Sequence, residues 1–595
     1  MTLFLPLAIA LGFCLVPVWL VRKPRRAHAR DYFIASQPTP PDVIRNACIV
    51  HFLRIATFAP LFVWGAGGDF WAAVLAAACL GAGVYLVSAL RQPILSFLDG
   101  ALTEDTSATV HEFVANRYGS DRFVRVLAAS LTVAALTGLI TVEGFAISTL
   151  AQPLLIGAAG SALPVAAAML VLALIYTTVS GNSGVMHSVQ VLLGFLYFGL
   201  FGSIALVLYF IVSDASPTPP QAKVAIIIVA GAGALIMFYR RSKYVETARI
   251  ETADEAVVRT ARASRLLSRF EKILNPFISG IVVFVIVLAA MEIFSVGFSA
   301  MARDSFAGLR MGTNSSLVML ASLALLALVY PLVDVRTWQL LTAAAKETQS
   351  DAALRSGALE RILHSVAVEV PLVWVVMAMF GALAVLVIET ASGRDALQMF
   401  VAGLAAEQGG PADFVVSFLL VAVLAMALSA MSGMFSAMLW VLRYDIVPAL
   451  WPDIIAQSPA GQTESIATRR TVLMGAALCA TGILLVRATS GFLGVAPSST
   501  GFLALTIACC CAQVAVVPLL LPTLLAPARS MNAASGGVSA PWAVAILGAG
   551  AGSGIAAALV YAATGNETWL WGAIPVCIGS GIVLLLIARV WRRRR

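Results

Sequence analysis

Apolar runs of about twenty residues recur from one end of this chain to the other, and no other feature limits its folding so severely. Each run is long enough to cross a hydrocarbon core of about 30 Å as a helix. The runs lack strict apolar/polar alternation, which argues against a barrel. In lipid, helices satisfy their own backbone groups and open sheets cannot. Only 11% of the 595 residues are charged, where a soluble chain carries about a quarter. The charge that would solvate a soluble multidomain surface is missing, and no polar segment is large enough to do chemistry by itself.

The pattern predicts an all-α polytopic membrane protein with about fifteen spans, at 2–22, 44–65, 70–91, 122–153, 161–180, 186–213, 222–239, 276–300, 315–344, 361–390, 412–442, 469–490, 499–525, 541–563 and 567–590. The net charge of +8 sits in short loops between these runs, which is a topology signal and not a nucleic-acid footprint. Alternate loops, holding Arg22–Arg30, Arg91–Arg122, Arg240–Lys272, Lys346–Arg361, Arg443–Arg470, Arg529 and the tail Arg592–Arg595, carry nearly all the Lys and Arg. The loops between them carry only Lys223, Arg303, Arg310 and Arg394. This bias predicts an outside N-terminus and a cytoplasmic C-terminus. The first run has no basic residues ahead of it and no small-residue cleavage site before Arg22, so it reads as a retained span and not a cleaved signal.

The eight Cys lie in apolar runs with no CxxC or Cys/His metal spacing, and read as small apolar residues. The only sizeable polar insert, 240–275, mixes both charges and reads as a cytoplasmic helix. It serves either as a plain connector or as a docking surface for a protein partner.

Ionisable residues inside spans are costly and face a cavity or a partner. They are His51, Arg54, Glu143, Glu292, Asp334, Arg336 and Glu369. Asp334, Arg336 and Glu369 lie close enough to span ends that snorkelling is the alternative reading. His51 and Arg54 are three apart and share a helix face. Pro60 and the glycines at 65, 67 and 68 are expected to break their span at mid-membrane, exposing carbonyls and amides to a ligand, or else to kink it for packing alone. Ser429, Ser432 and Ser436 form a stripe at helical spacing, which serves close helix packing or hydroxyl ligation of a cation or solute.

Several ordered segments resemble the sodium/solute symporter family. Asp31-Tyr32-Phe33 resembles its DYF signature, and His111-Glu112-Phe113 through Arg117-Tyr118-Gly119-Ser120 its EF…KRYG segment. Tyr176-Thr177, Gly181 and Ser188-Val189-Gln190 resemble its YT…GG…TDxxQ segment. Asp334, Trp338-Gln339 and Ala343-Ala344-Ala345-Lys346 resemble its Q/D…R…AAK segment, and Ser429 to Asp445 its AxxST…DS…TxD helix. The agreement covers about 30–445. The resemblance implies a LeuT-like fold with two inverted five-helix repeats. It divides the chain into a leading helix and basic loop (1–30), a first repeat (31–213), an inserted helix pair (214–310), a second repeat (311–526) and two trailing helices with a basic tail (527–595).

The same resemblance implies a sodium ion between the second span and the eleventh. Ser429 matches the first hydroxyl of that site and the Met426 carbonyl a further ligand, but Ala430 stands at the second hydroxyl and His187 at the family's Asp. Arg54 stands nearby, and a fixed positive charge repels sodium by several kcal/mol at intermediate dielectric. Arg54 is therefore expected in the electrostatic place of the ion, paired with Glu143. Proton coupling through Glu143, His51 or His187 is the other expectation.

The function expected is secondary active transport of a small-molecule solute across a bacterial inner membrane by alternating access. The expected solute-binding residues are His51, Arg54, Thr57, Glu143, Asp334, Trp338, Gln339 and Ser432, with Ser429 marking the degenerate sodium site. Arg54 favours a carboxylate, which points to organic acids or amino acids. The rival expectation is a transporter-like sensor that binds a solute without flux. An enzyme is disfavoured, since no HExxH, GxSxG, P-loop or Cys/His cluster occurs.

Overall fold

A computed structural model describes residues 32–34, 39–67, 69–103, 108–119, 121–151, 163–214, 226–237, 281, 285, 317–347, 352–388, 395–406, 411–450, 462–492, 499–525 and 538–594. All its regular elements are helical among these residues. We number them α1 (Pro41–Phe52), α2 (Ile55–Ala66), α3 (Phe70–Ala89), α4 (Arg91–Thr103), α5 (Val110–Arg117), α6 (Arg122–Ala151) and α7 (Leu163–Asp214) in the first half. The second half holds α8 (Leu317–Val333), α9 (Val335–Glu347), α10 (Ala352–Val387), α11 (Ala396–Ala406), α12 (Pro411–Val441), α13 (Gln462–Phe492), α14 (Ser499–Val514), α15 (Val517–Leu525), α16 (Ala540–Thr564) and α17 (Glu567–Arg594).

Among the described residues nine helices are long and apolar enough to cross a membrane, or eleven if each of two bent pairs counts as one span. Two more expected spans appear as shorter apolar helices, Pro164–Val179 and Ile226–Met237. The expected spans 2–22 and 276–300, and the polar insert 240–275, lie outside the described residues, apart from 281 and 285. The sequence reading did not anticipate α4, α5 and α11, which are short helices in the loops between spans.

Two of the helices in the core are interrupted. In the first, α1 and α2 meet at an angle of 55°. The break falls at Leu53–Arg54, where Arg54 is extended (φ −109°, ψ 159°), and not at Pro60, which sits inside α2. Its position follows from capping: the Thr57 hydroxyl accepts the Arg54 amide at 3.1 Å, and a carboxylate from α6 takes the next two amides. Proline lacks a donor and crowds the carbonyl four residues before it, but in membrane helices neighbouring groups and local backbone adjustment re-satisfy what it frees, and Pro60 stays inside α2. In the second interrupted helix α8 and α9 are separated by Asp334, which was expected within one continuous span. Its carboxylate accepts the Thr337 amide at 2.7 Å, an N-cap for α9.

The remaining helices hold these breaks in place. Helix α10 packs on α3 and α2, and α12 packs on α7 and α6. Small residues bring the backbones together, as membrane helices favour. A Cβ on Gly65 would stand 1.8 Å from the Ala378 carbonyl oxygen, and one on Gly381 would stand 2.0 Å from that of Phe62. Helix α7 bends at Gly181, whose φ of +61° only glycine adopts at low cost. A side chain there would also meet the Tyr32 carbonyl. On α17, Ile582, Val583, Leu586, Ile587, Val590 and Trp591 are exposed, which is the face a lipid phase would cover.

Candidate functional site

The two breaks meet in the core. Between them lies a polar cluster of the buried His51, Arg54 and Asp334 and the half-buried Tyr330, with Glu143 on the far side of the first break. The Glu143 carboxylate accepts the amides of Ile55 at 3.1 Å and Ala56 at 3.2 Å. These are two of the free donors at the start of α2, where a carboxylate also meets the positive end of the helix dipole. Glu143 was expected to pair with Arg54. It caps α2 instead, and Arg54 turns to other partners.

Those partners are specific. The Arg54 Nε donates to the His51 carbonyl at 2.7 Å, and Nη1 donates to the Tyr330 hydroxyl at 3.3 Å. Nη1 also lies 3.7 Å from the Met434 sulfur on α12. Nη2 lies 2.6 Å from His51 Nε2 and 3.9 Å from Asp334 Oδ1. Asp334 Oδ2 accepts from the Thr337 amide and hydroxyl, each at 2.7 Å, and lies 2.8 Å from His51 Nε2. Asp334 Oδ1 is buried with no hydrogen-bond partner among the described residues. Burying such groups costs several kcal/mol per ion unless partners return it, and clusters of this kind in a membrane core are functional by default.

A second network closes one end of the bundle. Arg336 donates to the side-chain oxygens of Asn182 and Gln339. Gln339 Nε2 donates to the Phe33 carbonyl at 2.6 Å and to Ser436 Oγ at 3.3 Å, and Ser436 Oγ donates to Asn182 at 3.1 Å. Asn182 also donates to the Ile34 carbonyl. The Tyr32 hydroxyl lies 3.2 Å from the carbonyls of Thr177 and Thr178. The segment 32–34 is thereby stitched to α7, α9 and α12.

On the other side of the first break lies a cavity of about 360 Å³. Its floor is Ile55 and Ala56, and Ala59, Val63, Val142, Leu150 and Leu503 form apolar walls. Trp64, Tyr561 and Trp571 add aromatic rings, two of them from the trailing helices α16 and α17. It reaches Asp69 and the exposed Asp395 and Glu567 at the surface, and among the described residues no Lys, Arg or His lines it.

Six of the eight expected solute-binding residues fall into three places, and Trp338 and Ser432 lie apart from them. His51, Arg54 and Asp334 form the cluster between the breaks, and Glu143 and Thr57 cap α2 beside the cavity floor. Gln339 belongs to the closing network. Trp338 donates to the Leu332 carbonyl at 2.8 Å and packs on Phe113, and Ser432 bonds back to the Ser429 carbonyl. None of the eight lines the cavity. Sequence reasoning missed Tyr330, Asn182 and the cavity aromatics, because neutral polar and aromatic residues inside apolar runs carry no charge signal.

The sodium ligands implied by resemblance can be tested on geometry. Ser429 Oγ donates to the carbonyls of Ala425 at 2.7 Å and Met426 at 2.8 Å, so hydroxyl and carbonyl are engaged with each other inside α12. Ala430 offers no oxygen from its side chain, and the Arg54 guanidinium reaches the next turn of the same helix. This donor set does not fit a hard cation, which gathers many oxygens. Among the described residues no group of three or more His, Cys, Asp or Glu could hold a metal.

No protein-family model matches this chain, and no curated protein matches it by sequence. Its fold is nevertheless shared with solved structures. A Na+-coupled sialic acid symporter, captured substrate-bound and outward-open, superposes with a TM-score of 0.59 over 98% of each chain at 12% identity. The nucleobase-cation-symport-1 family transporter Mhp1, closed around bromovinylhydantoin, gives a TM-score of 0.44 over 96% of each chain at 11% identity. The first likeness establishes an all-α polytopic LeuT-like fold.

Proposed function

We propose that this chain is a secondary active transporter that moves a small organic solute across a bacterial inner membrane by alternating access. The observation that carries the reading is an asymmetry about the two broken helices. On one side a cavity descends to the α2 floor, and on the other the network around Arg336 and Gln339 is shut. Such folds bind solute where discontinuous helices meet and expose it to each side in turn. The Lys and Arg bias supports placing the cavity outside and the Tyr32 side in the cytoplasm. The shared fold with an ion-coupled symporter supports symport as the mode.

Arg54 lies beneath the cavity floor, and among the described residues every charged residue lining the cavity is acidic. Of the two solute classes expected from sequence, this favours amino acids, whose ammonium group matches the carboxylates, over organic acids. Aromatic rings also attract ammonium groups.

Counterflow in proteoliposomes tests the proposal. Vesicles loaded with unlabelled amino acids should accumulate external labelled amino acid in a saturable way. Ala59→Trp, which fills the cavity, should abolish the accumulation. Solute binding without any counterflow would replace the transporter with a sensor.

A further inference from the structure

We propose that His51 is the proton-binding site that couples this transporter, and that its protonation moves Arg54 from the imidazole ring to Asp334. The inference rests on the transport reading and names its coupling ion. It starts from the misfit of the sodium ligands at Ser429 and Ala430, and from a fixed guanidinium that already supplies positive charge between the first break and α12.

The geometry around the ring is one of competition. A guanidinium only donates hydrogen bonds, and a carboxylate only accepts them. His51 Nε2 lies 2.6 Å from Arg54 Nη2 and 2.8 Å from Asp334 Oδ2. A bare Nε2 accepts from Arg54 and sets its lone pair against Asp334. An Nε2 carrying hydrogen donates to Asp334 and opposes the Arg54 N–H groups at 2.6 Å. The neutral ring with hydrogen on Nε2 can still offer Nδ1 to Arg54, but only at 3.3 Å. A second proton on the ring removes that acceptor as well. Protonation therefore releases Arg54 Nη2 and secures the bond to Asp334. The released group has a destination: Asp334 Oδ1 is 3.9 Å away, buried and without a hydrogen-bond partner. The proton comes from hydronium in the aqueous phase: one O–H bond breaks and leaves neutral water, one ring N–H bond forms, and no other covalent bond changes.

The position gives this exchange its consequence. His51 and Arg54 flank the break between α1 and α2, and Asp334 caps α9 at the break of the second interrupted helix. Loading the ring thus changes the tie between the two interrupted helices. The charged and titratable groups around it are Arg54 and Cys48 from the first broken helix, and Tyr330, Asp334 and Arg336 from α8 and α9. Glu143 on α6 and Cys510 on α14 act through Arg54.

The test uses the full chain in nanodiscs and two readouts. The chain has five histidines, so ¹⁵N-histidine spectra of the parent and of His51→Gln identify the His51 ring. Its nitrogens are followed against pH with and without sodium chloride. In parallel, thiol labelling of Ala59→Cys reports cavity accessibility, corrected for the parent's own cysteines. The expected result is a His51 ring that gains a proton on acidification, a several-fold change in labelling rate at the same midpoint, and a flat labelling profile in His51→Gln. Sodium should leave both readouts unchanged. A sodium response with a millimolar midpoint overturns the proposal, as does a pH profile that survives His51→Gln or a ring that never titrates. If His51→Gln does not fold, Asp334→Asn serves: it must shift the His51 midpoint, and an unmoved midpoint overturns the exchange. Flux enters neither readout, so a chain that passes here and fails counterflow overturns the transport reading alone.

Discussion

The carboxylate of Glu143 on α6 closes the amide end of α2, accepting Ile55 and Ala56 at 3.1 and 3.2 Å. The opening of the first broken helix thus depends on a residue nearly ninety positions away. Glu143→Ala leaves the buried Ile55 amide without an acceptor, at a cost of about 1–3 kcal/mol, and frees the half-buried Ala56 amide at a smaller cost. The expected outcome is a large fall in the melting temperature of the detergent-solubilised protein. Glu143→Gln keeps one acceptor oxygen and should lose roughly half as much. Equal melting temperatures for Glu143→Ala and the parent would show that the capping contributes nothing.

A second prediction concerns the crossing of α2 and α10. A Cβ on Gly65 would sit 1.8 Å from the Ala378 carbonyl oxygen, a backbone atom that cannot swing aside. Overpacking in cores costs about 1–3 kcal/mol, and Gly65→Ala should stand at the upper end of that range. Gly548, where a Cβ would meet nothing within 4 Å, is the control. Chemical denaturation of the two alanine variants side by side should leave Gly548→Ala near the parent and Gly65→Ala far below it.

How much of this was legible in the sequence depends on the kind of signal. Apolar runs reported the helices, and buried acids at Glu143 and Asp334 reported positions that matter, because both are conspicuous against an apolar background. The break at Leu53–Arg54 was placed too late, near Pro60, because proline is the visible helix breaker while the deciding cap comes from α6. Arg54 was read as a solute ligand because a span shows which residues share a face but not which neighbour that face meets. Asn182 carries no signal, since single neutral polar residues are common in membrane helices, and the stripe that marks Ser436 does not say that Asn182 and Gln339 are its partners. Tyr561 and Trp571 reach the cavity from the trailing helices α16 and α17, and no local pattern encodes that approach.

The network that shuts the Tyr32 side gives a third prediction. Arg336 holds Asn182 and Gln339 together, and Gln339 reaches the Phe33 carbonyl. Hydrogen bonds to a charged group contribute about 1.5–3 kcal/mol each. Asn182→Ala removes one such bond together with the Ser436 and Ile34 contacts, and should shift the equilibrium toward a conformation open on that side by about tenfold for each 1.4 kcal/mol. Labelling of Ser436→Cys from the Tyr32 side should accelerate accordingly, while labelling of Ala59→Cys from the cavity side should slow. Parallel acceleration at both positions would indicate simple loosening and exclude a gate.

The cavity makes a fourth prediction through its charge. Asp69, Asp395 and Glu567 lie at its surface end, and they are the charged residues of the lining among the described residues. Exposed carboxylates act mainly on encounter, so neutralising Asp395 and Glu567 together should slow association of an ammonium-bearing solute more than it speeds dissociation. Association of phenethylamine with the parent should weaken as salt is added, and the double variant should lose most of that dependence. A carboxylate analogue of the same skeleton, 3-phenylpropionate, should respond in the opposite direction. Identical behaviour of the two probes would remove the electrostatic preference.

The last prediction lies at the end of α12, where the helix widens into a π turn over Leu442–Ile446. Inside that turn Asp445 gathers three elements. Its Oδ1 accepts from Thr109 at 2.9 Å and from Arg125 Nε at 2.8 Å, and Oδ2 lies 2.9 Å from His111 Nδ1. His111 Nε2 in turn meets Thr132 on α6 at 2.8 Å, and Arg125 Nη2 donates to the Tyr444 carbonyl at 2.8 Å. π turns inside helices recur at functional positions, and here the extra residue turns one carboxylate toward both α5 and α6. Asp445→Asn keeps the shape, removes the charge and replaces an acceptor oxygen with a donor among donors. Breaking a buried pair of this kind costs about 3–5 kcal/mol. The melting temperature should fall sharply, while phenethylamine binding to the surviving folded fraction stays at the parent affinity, because Asp445 does not line the cavity. A variant that keeps its stability but binds the probe differently would assign Asp445 to the solute pathway and away from the scaffold.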